Sequence, residues 1–188
     1  MKKLTILAAL IIMSASVFAQ GFEFGAKAGL NMATYTKGDV NMRPGLYAGV
    51  FGEYVISDYV GIQGELLYSM MGARKKGSVS TYTDKTDYIV LPILAKLYVA
   101  EKLSLDLGPQ FGYMVLAQAK LSGNDYSDTM NMYDTVDKKF DVSFGMGLSY
   151  KLSAKFDISG RYNLGLTKIE EYRDSKNSVI QFGIGYRF

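Results

Sequence analysis

The chain lacks two residue types that most enzymes and metal sites use, because its 188 residues include no cysteine and no histidine. Without cysteine it forms no disulfide, has no thiolate chemistry and offers no site for a lipoprotein anchor. Without histidine it lacks the commonest general base and the commonest transition-metal ligand. No G-x-S-x-G, H-E-x-x-H or phosphate-binding loop motif occurs either. We therefore predict a protein that is not an enzyme and that needs no cofactor or metal.

Long apolar runs and an excess of charge are scarce as well. The one apolar run, Leu4–Met13, follows Lys2 and Lys3 and is shorter than the roughly 20 residues of a transmembrane helix. Small residues come next, so we predict a signal peptide over 1–19 and a single domain over 20–188. Cleavage would remove two of the 21 basic residues and leave 19 against 18 acidic ones. This balance gives no reason to expect a nucleic-acid partner.

What the chain does have is glycine, tyrosine and phenylalanine (20, 15 and 10 residues) in segments where apolar and polar residues alternate. Alternation at a spacing of two is typical of strands with one apolar face. The final segment is predicted to close a barrel with four apolar side chains on one face: Phe182, Ile184, Tyr186 and Phe188. The alternation predicts eight strands in all: 22–32, 44–56, 59–73, 87–99, 103–118, 139–152, 155–169 and 177–188.

The connections between these segments alternate in length. Tight turns are expected at 57–58, 100–102 and 153–154, whereas the other connections are longer and polar: 33–43, 74–86, 119–138 and 170–176. Short turns at one rim and long loops at the other are typical of outer-membrane barrels. We therefore predict an all-β fold, an eight-stranded antiparallel up-and-down transmembrane β-barrel. Both termini are expected on the periplasmic side and the long loops outside.

Alternation alone does not say which face points outward, and a soluble lipocalin-like barrel would have the same period with its apolar face inside. Aromatic residues gather at strand ends, for example Phe22, Tyr54 and Phe156, as the interfacial girdle of a membrane barrel requires. The apolar segments run for about nine to eleven residues, which matches a tilted membrane strand. Glycines lie on the charged face, where a narrow lumen needs room. These features favour the membrane barrel.

The chain also resembles the outer-membrane β-barrel family often called "porin family" or PorT-like, typical of Bacteroidetes, over essentially all of 20–188. The stretches that carry the resemblance are Phe24–Asn31, Tyr54–Gln63, Glu65–Ser69, Leu91–Lys96, Arg161–Leu166 and the terminal Phe188. Val90 departs from the pattern, because relatives often carry glutamate there. The resemblance implies an outer-membrane location and a barrel architecture rather than an activity.

Eight strands enclose an interior that side chains just fill, so a general diffusion pore is not expected. The inward charges should pair, because an unpaired buried charge is costly. We predict a Glu23–Arg187–Asp157 cluster and a Lys96–Asp106 pair. Such a network could be a self-satisfied plug, which we favour, or a gate or ion path. The predicted network comprises Glu23, Lys27, Glu53, Glu65, Lys96, Asp106, Asp141, Asp157, Arg161 and Arg187.

Two loops carry candidate contacts. Arg74, Lys75 and Lys76 could bind lipopolysaccharide phosphates, or simply form a solvated loop. The loop 119–138 combines acidic residues with tyrosine and methionine, which suits protein recognition. A calcium site is less favoured there, because the spacing lacks the pattern of a compact calcium loop. Its acidic residues are Asp125, Asp128, Asp134 and Asp137.

The function that these features favour is a surface-interaction protein, with an inert barrel that carries specificity in its loops. The expected partners are outer-membrane lipid and lipopolysaccharide, the barrel-assembly machinery during insertion, and an extracellular or envelope protein. Three alternatives stay open: a narrow passive channel, an accessory component of a secretion or assembly machine, and a soluble periplasmic binding barrel.

Overall fold

The computed structural model describes residues 21–37, 40–77, 80–123, 127–136, 138–168 and 175–188. The predicted signal peptide lies outside these residues. The described residues form nine strands and one 3₁₀ turn at Tyr133–Thr135. The strands are β1 (Phe22–Tyr35), β2 (Asn41–Ser57), β3 (Val60–Lys76), β4 (Ser80–Ala100), β5 (Leu103–Gly123), β6 (Ser127–Asn131), β7 (Phe140–Lys151), β8 (Phe156–Gly165) and β9 (Asn177–Arg187). Within the described residues, no helix is both long enough and apolar enough to span a membrane.

Eight of the nine strands form a closed antiparallel ring. Its order is β1-β2-β3-β4-β5-β7-β8-β9, and β9 returns to pair with β1 through a register that sets Asn31 opposite Gln181. Short turns join β2 to β3, β4 to β5 and β7 to β8 at one end of the barrel, which we call the turn end. The opposite end is the loop end. The predicted eight-stranded barrel is therefore confirmed.

The apolar face of each strand points outward. Leu30, Leu46 and Ile184 are each more than half exposed, whereas Asn31 and Glu65 on the alternate positions are buried. Opposite faces of a strand differ in this way only if its apolar face meets hydrocarbon and its polar face lines the interior. The alternative of a soluble barrel with its apolar face inside is wrong.

Aromatic rings mark the turn end of this apolar belt. Phe22 stacks on Phe24 with ring centroids 5.2 Å apart and also contacts Tyr54, on the neighbouring strand, at 5.3 Å. On the other side of the closure, the Tyr186 ring contacts the rings of Phe156 and Phe188. Transmembrane barrels carry girdles of aromatic residues at the level of the headgroups, so these clusters mark one membrane boundary.

At the loop end, β1 to β5 run further than predicted, whereas β8 ends at Gly165, before the predicted end at 169. The chain predicted to be loop at 74–86 continues β3 to Lys76 and begins β4 at Ser80. Within the predicted loop 119–138, β5 extends to Gly123, and β6 is an additional short strand that, among the described strands, pairs only with β5. The prediction ended these strands where alternation faded. Beyond the lipid, water surrounds both faces of a strand, so the strand needs no apolar outer face. Backbone pairing continues there although the alternation ends.

Glycines on the inner wall make room for two large rings. The Tyr47 ring from β2 lies against Gly29 of β1 and Gly183 of β9, where an added Cβ would fall within 3 Å of its ring atoms. The Phe51 ring occupies the corresponding space beside Gly25. Glycine on the inner face therefore allows aromatic side chains to cross part of the lumen.

Candidate functional site

The middle of the lumen is organised around the buried carboxylate of Glu65. Both guanidinium nitrogens of Arg161 donate to it, at 2.8 and 2.7 Å. The ammonium of Lys27 approaches it at 3.1 Å, and the amide of Gln63 donates at 2.6 Å. A bidentate guanidinium pair is among the strongest ionic contacts in proteins, so Arg161 links β8 directly to β3 across the lumen.

A second carboxylate, that of Glu53, organises the side of the lumen nearer the turn end. It accepts from Lys96 at 3.1 Å, from Arg187 at 3.3 Å and from the hydroxyl of Tyr98. The Arg187 guanidinium also contacts Glu23 at 2.7 Å and Asp157 at 2.9 Å. One arginine of the last strand thereby contacts carboxylates of β1, β2 and β8.

The two carboxylate centres are joined into one network by Gln63. Its amide nitrogen donates to Glu65, and its amide oxygen accepts from Lys96 at 3.0 Å. The same Lys96 ammonium donates to Glu53. All eight ring strands supply a buried polar side chain to this level of the lumen: Lys27, Glu53, Glu65, Lys96, Asp106, Ser149, Arg161 and Arg187. Charges buried in a narrow space are tolerated because they are paired.

The two predicted pairings have different outcomes. The Glu23–Arg187–Asp157 cluster is present, although the register sets Asp157 opposite Gly185 rather than opposite Arg187. The predicted Lys96–Asp106 ion pair is wrong. The register does place these residues opposite each other, but Lys96 reaches across β3 to Glu53 instead.

Asp106 is satisfied by hydroxyl groups rather than by a lysine. Its carboxylate accepts from Ser104 at 2.8 Å and from Ser149 of the neighbouring strand β7. Hydroxyls can satisfy a carboxylate without bringing a second charge. Asp106 therefore adds negative charge to the lumen without an ammonium or guanidinium in direct contact among the described side chains.

An uncharged polar layer lies on the loop side of the charged network. Asn31 donates to Ser69 at 2.8 Å and accepts from Gln181 at 2.9 Å. Gln181 in turn accepts from Asn163 at 2.7 Å. This chain of amides connects β3, β1, β9 and β8.

An apolar layer lies inside the barrel on the loop side of the charged network, partly at the level of the amides. Its members are inward-facing residues that the alternation did not reveal, because they interrupt the polar face: Ala33, Tyr47, Leu67, Met71, Tyr88, Val90, Met114, Ala117 and Val179. Tyr133 of the 3₁₀ turn and Val136 pack against this layer from the loop end. The Lys139 ammonium lies 3.8 Å above the Tyr133 ring. The segment after β6 thus folds back over the barrel mouth.

Polar groups return at the loop end, beyond the membrane-spanning parts of the strands. The hydroxyl of Tyr35 donates to Asp84 at 3.1 Å, and burial together with this carboxylate raises the pKa of Tyr35 well above its ordinary value. Asp141, predicted to join the lumen network, instead accepts from Thr167 at 2.8 Å, close to the loop end. The predicted single network is therefore divided between two levels of the barrel.

Four strands continue past the apolar belt on one side of the barrel. We call this part the projecting sheet: residues 71–76 of β3, 80–86 of β4, 117–123 of β5, and β6. The predicted basic group of Arg74, Lys75 and Lys76 does not lie on one face of this sheet, because successive strand residues point to opposite faces. Arg74 lies on the outward face and Lys75 on the face that continues the inner wall, while the side chain of Lys76 is outside the described part.

The face that continues the inner wall is partly apolar. Tyr82 and Leu121 lie opposite each other on it, and Met130 lies opposite Ala119. Met130 is 60 % exposed, and Tyr82 and Leu121 are about two-fifths exposed. Of the acidic residues of the predicted recognition loop, Asp128 and Asp134 lie on β6 and the 3₁₀ turn, while Asp125 and Asp137 lie outside the described residues. Among the residues described, no group of three or more candidate ligands could hold a metal.

A closed eight-stranded ring with an apolar exterior and a polar, internally paired interior is the architecture of a small outer-membrane β-barrel. The chain matches the model of the outer membrane protein beta-barrel domain over residues 18–171, and it belongs to that family. No match was found among curated protein sequences.

Solved structures show the same fold. Ail, the attachment invasion locus protein of Yersinia pestis, is 19 % identical, with a TM-score of 0.54 over 88 % of this chain and 98 % of Ail. Neisserial surface protein A is 15 % identical, with a TM-score of 0.57 over 90 % of this chain and 98 % of that protein. Ail has also been solved with the heparin analogue sucrose octasulfate (TM-score 0.53, 19 % identity, 90 % and 100 % covered). The family and these structures are barrels of the outer membrane, and nothing in them points to an enzymatic activity.

Proposed function

We propose that this protein is a surface-interaction protein of the outer membrane. In this proposal the barrel is a closed scaffold, and the loop end, above all the projecting sheet, makes the functional contacts. The proposal places both termini on the periplasmic side and the projecting sheet outside the cell. Insertion would use the barrel-assembly machinery, as for other chains of this architecture.

The observations that carry the proposal are the paired charges inside the barrel and the apolar layer on their loop side. A path along the axis would have to break the Glu65–Arg161 pair and then cross the apolar layer around Leu67 and Met114. Ions avoid apolar constrictions. A narrow passive channel therefore receives less support than a scaffold.

The exposed apolar residues of the projecting sheet support the second half of the proposal. Met130, Leu121 and Tyr82 lie on a hydrogen-bonded sheet that extends beyond the belt, where no lipid would cover them. Exposed apolar clusters outside the membrane are typical of protein-contact surfaces, and methionine and tyrosine adapt well to partners. The expected partner is an extracellular or envelope protein.

Photo-crosslinking in intact cells tests whether the projecting sheet contacts a protein partner. A photoreactive phenylalanine analogue at Met130 should give a discrete adduct with one partner, whereas the same analogue at Tyr59, in the exposed turn between β2 and β3, should not. Equal adducts from both positions would show non-specific capture, and no adduct from Met130 would contradict the proposal.

An accessory role in an outer-membrane secretion or assembly machine is compatible with the same surface. The resemblance to PorT-like proteins suggests it, and the partner would then be a membrane component of that machine. Identification of the Met130 adduct decides between a machine component and an extracellular protein.

A further inference from the structure

We propose that the outward face of the projecting sheet binds phosphate groups of lipid headgroups in the adjoining leaflet, through Arg74, Lys85 and Lys120. This inference is independent of whether the lumen conducts and of which protein contacts the loop end. It also replaces the contact predicted for Arg74, Lys75 and Lys76, since these three do not share a face.

The strand register brings the three cations together. Arg74 of β3 lies opposite Thr83 of β4, which lies opposite Lys120 of β5. Adjacent strands are about 4.8 Å apart, so Arg74 and Lys120 are about 10 Å apart with Thr83 between them. Lys85 lies two residues from Thr83 on the same face, next to Gly72 and Gln118. The long side chains of Arg74, Lys85 and Lys120 can therefore converge on one anion.

The three cations lie at the height of a headgroup. Lys85 is four residues beyond Ile89, the last exposed apolar residue on the outward face of β4, and Arg74 is four residues beyond Met70 on β3. With a rise of about 3.3 Å and a tilt of about 45°, four residues correspond to about 9 Å above the hydrocarbon. The headgroup region is about 5–8 Å thick on each side, so the backbone of these residues lies just beyond it and their long basic side chains reach back into it.

Carboxylates of the described residues do not pair with this group of cations. Among the described residues, no carboxylate lies within salt-bridge distance of Arg74, Lys85 or Lys120. The nearest acid on this face, Asp87, accepts from Tyr68 at 2.6 Å and lies 4.0 Å from Arg43.

Arg74 and Thr83 give this group the form of a shallow site. The Nε of Arg74 is buried and has no hydrogen-bond partner among the described residues. Thr83 is only 9 % exposed although it lies on the outward face, so neighbouring side chains cover it. A phosphate would supply acceptors for a guanidinium and two ammonium groups, and such charge-assisted contacts are stronger than neutral ones.

Lipid is the favoured source of the phosphate because the outward face is continuous with the lipid-facing belt. A soluble anion would meet this surface only at its upper edge. Diphosphoryl lipid A, the phosphorylated anchor of lipopolysaccharide, is the probe that tests the proposal, with the same lipid after enzymatic removal of both phosphates as the comparison.

The experiment measures lipid retention by native mass spectrometry on the full chain, refolded in zwitterionic detergent. The variant Arg74→Gln/Lys85→Gln/Lys120→Gln should bind diphosphoryl lipid A about tenfold more weakly than the unmodified chain. The control Lys75→Gln/Lys102→Gln/Lys155→Gln removes the same charge from other surfaces and should bind as the unmodified chain does. Dephosphorylated lipid should not distinguish the two variants.

Equal weakening in both triple variants, or equal binding of both lipids by the unmodified chain, would overturn the proposal. Displacement of the lipid by millimolar inorganic phosphate or by sucrose octasulfate would overturn the assignment to lipid and indicate a soluble anion. Heat-dependent gel migration checks that each variant is folded. If the triple variant does not fold, Arg74→Gln and Lys120→Gln singly carry the test, each with an expected loss of about threefold.

Discussion

At the scale of single residues, Glu65 is the position on which the interior depends most. It is 1 % exposed and forms ion pairs with both Arg161 and Lys27. Glu65→Gln would leave two buried cations sharing no carboxylate, and breaking a buried pair in this way costs about 3–5 kcal/mol. We expect this loss in urea unfolding of the folded barrel followed by circular dichroism, since the chain has no tryptophan. The exposed Glu101→Gln should change stability by less than about 0.5 kcal/mol, and similar losses for both would contradict the prediction.

Arg187 is the second position where one side chain joins several strands. Its planar guanidinium contacts three carboxylates in different directions, and a lysine ammonium lacks this geometry. Arg187→Lys should therefore lower the free energy of unfolding by about 1–3 kcal/mol although the charge is unchanged. Lys102→Arg, an exchange in an exposed turn, serves as the control. An Arg187→Lys variant as stable as the control would show that only the charge matters.

At the scale of the strand, the inner wall is limited by close approach of neighbouring backbones. A Cβ added at Gly49 would fall 2.0 Å from the carbonyl oxygen of Leu66, whereas one added at Gly64 meets nothing within 4 Å. Gly49→Ala should therefore destabilise the barrel by about 1–3 kcal/mol through strain. Gly64→Ala should be neutral or slightly stabilising, because alanine restricts the unfolded chain. The comparison uses the same unfolding assay, and a neutral Gly49→Ala would contradict the close approach.

The alternation of apolar and polar residues predicts some strands and contacts of the barrel and misses others. Alternation at a spacing of two predicts the membrane-spanning strands, because hydrocarbon outside and a polar lumen inside require chemically different faces. It missed the extension of β4 to Ser80 and all of β6, because backbone pairing in water leaves no such contrast. The cluster around Arg187 follows from barrel closure and could be predicted. The link from Lys96 to Glu53 could not, because it depends on how a long side chain crosses β3.

At the scale of the whole molecule, the barrel combines a polar, internally paired interior with an extended loop end. The amide chain and the apolar layer lie on the loop side of the charged network, and Tyr133 packs against the apolar layer. Sequence alternation indicated the first layer but not the apolar one, whose members Leu67, Val90 and Met114 occupy positions otherwise polar on the inner face. We therefore propose a scaffold that holds the projecting sheet rather than a conduit.

The measurement that tests this account most directly is the single-channel conductance of the refolded, heat-modifiable barrel in planar bilayers. We predict a silent bilayer, for the unmodified chain and equally for Glu53→Gln and Arg161→Gln, because the apolar layer remains in place in each. Steady ohmic steps from the unmodified chain, decreasing when Glu53 or Arg161 is neutralised, would show that the lumen is a working path and would contradict the closed scaffold.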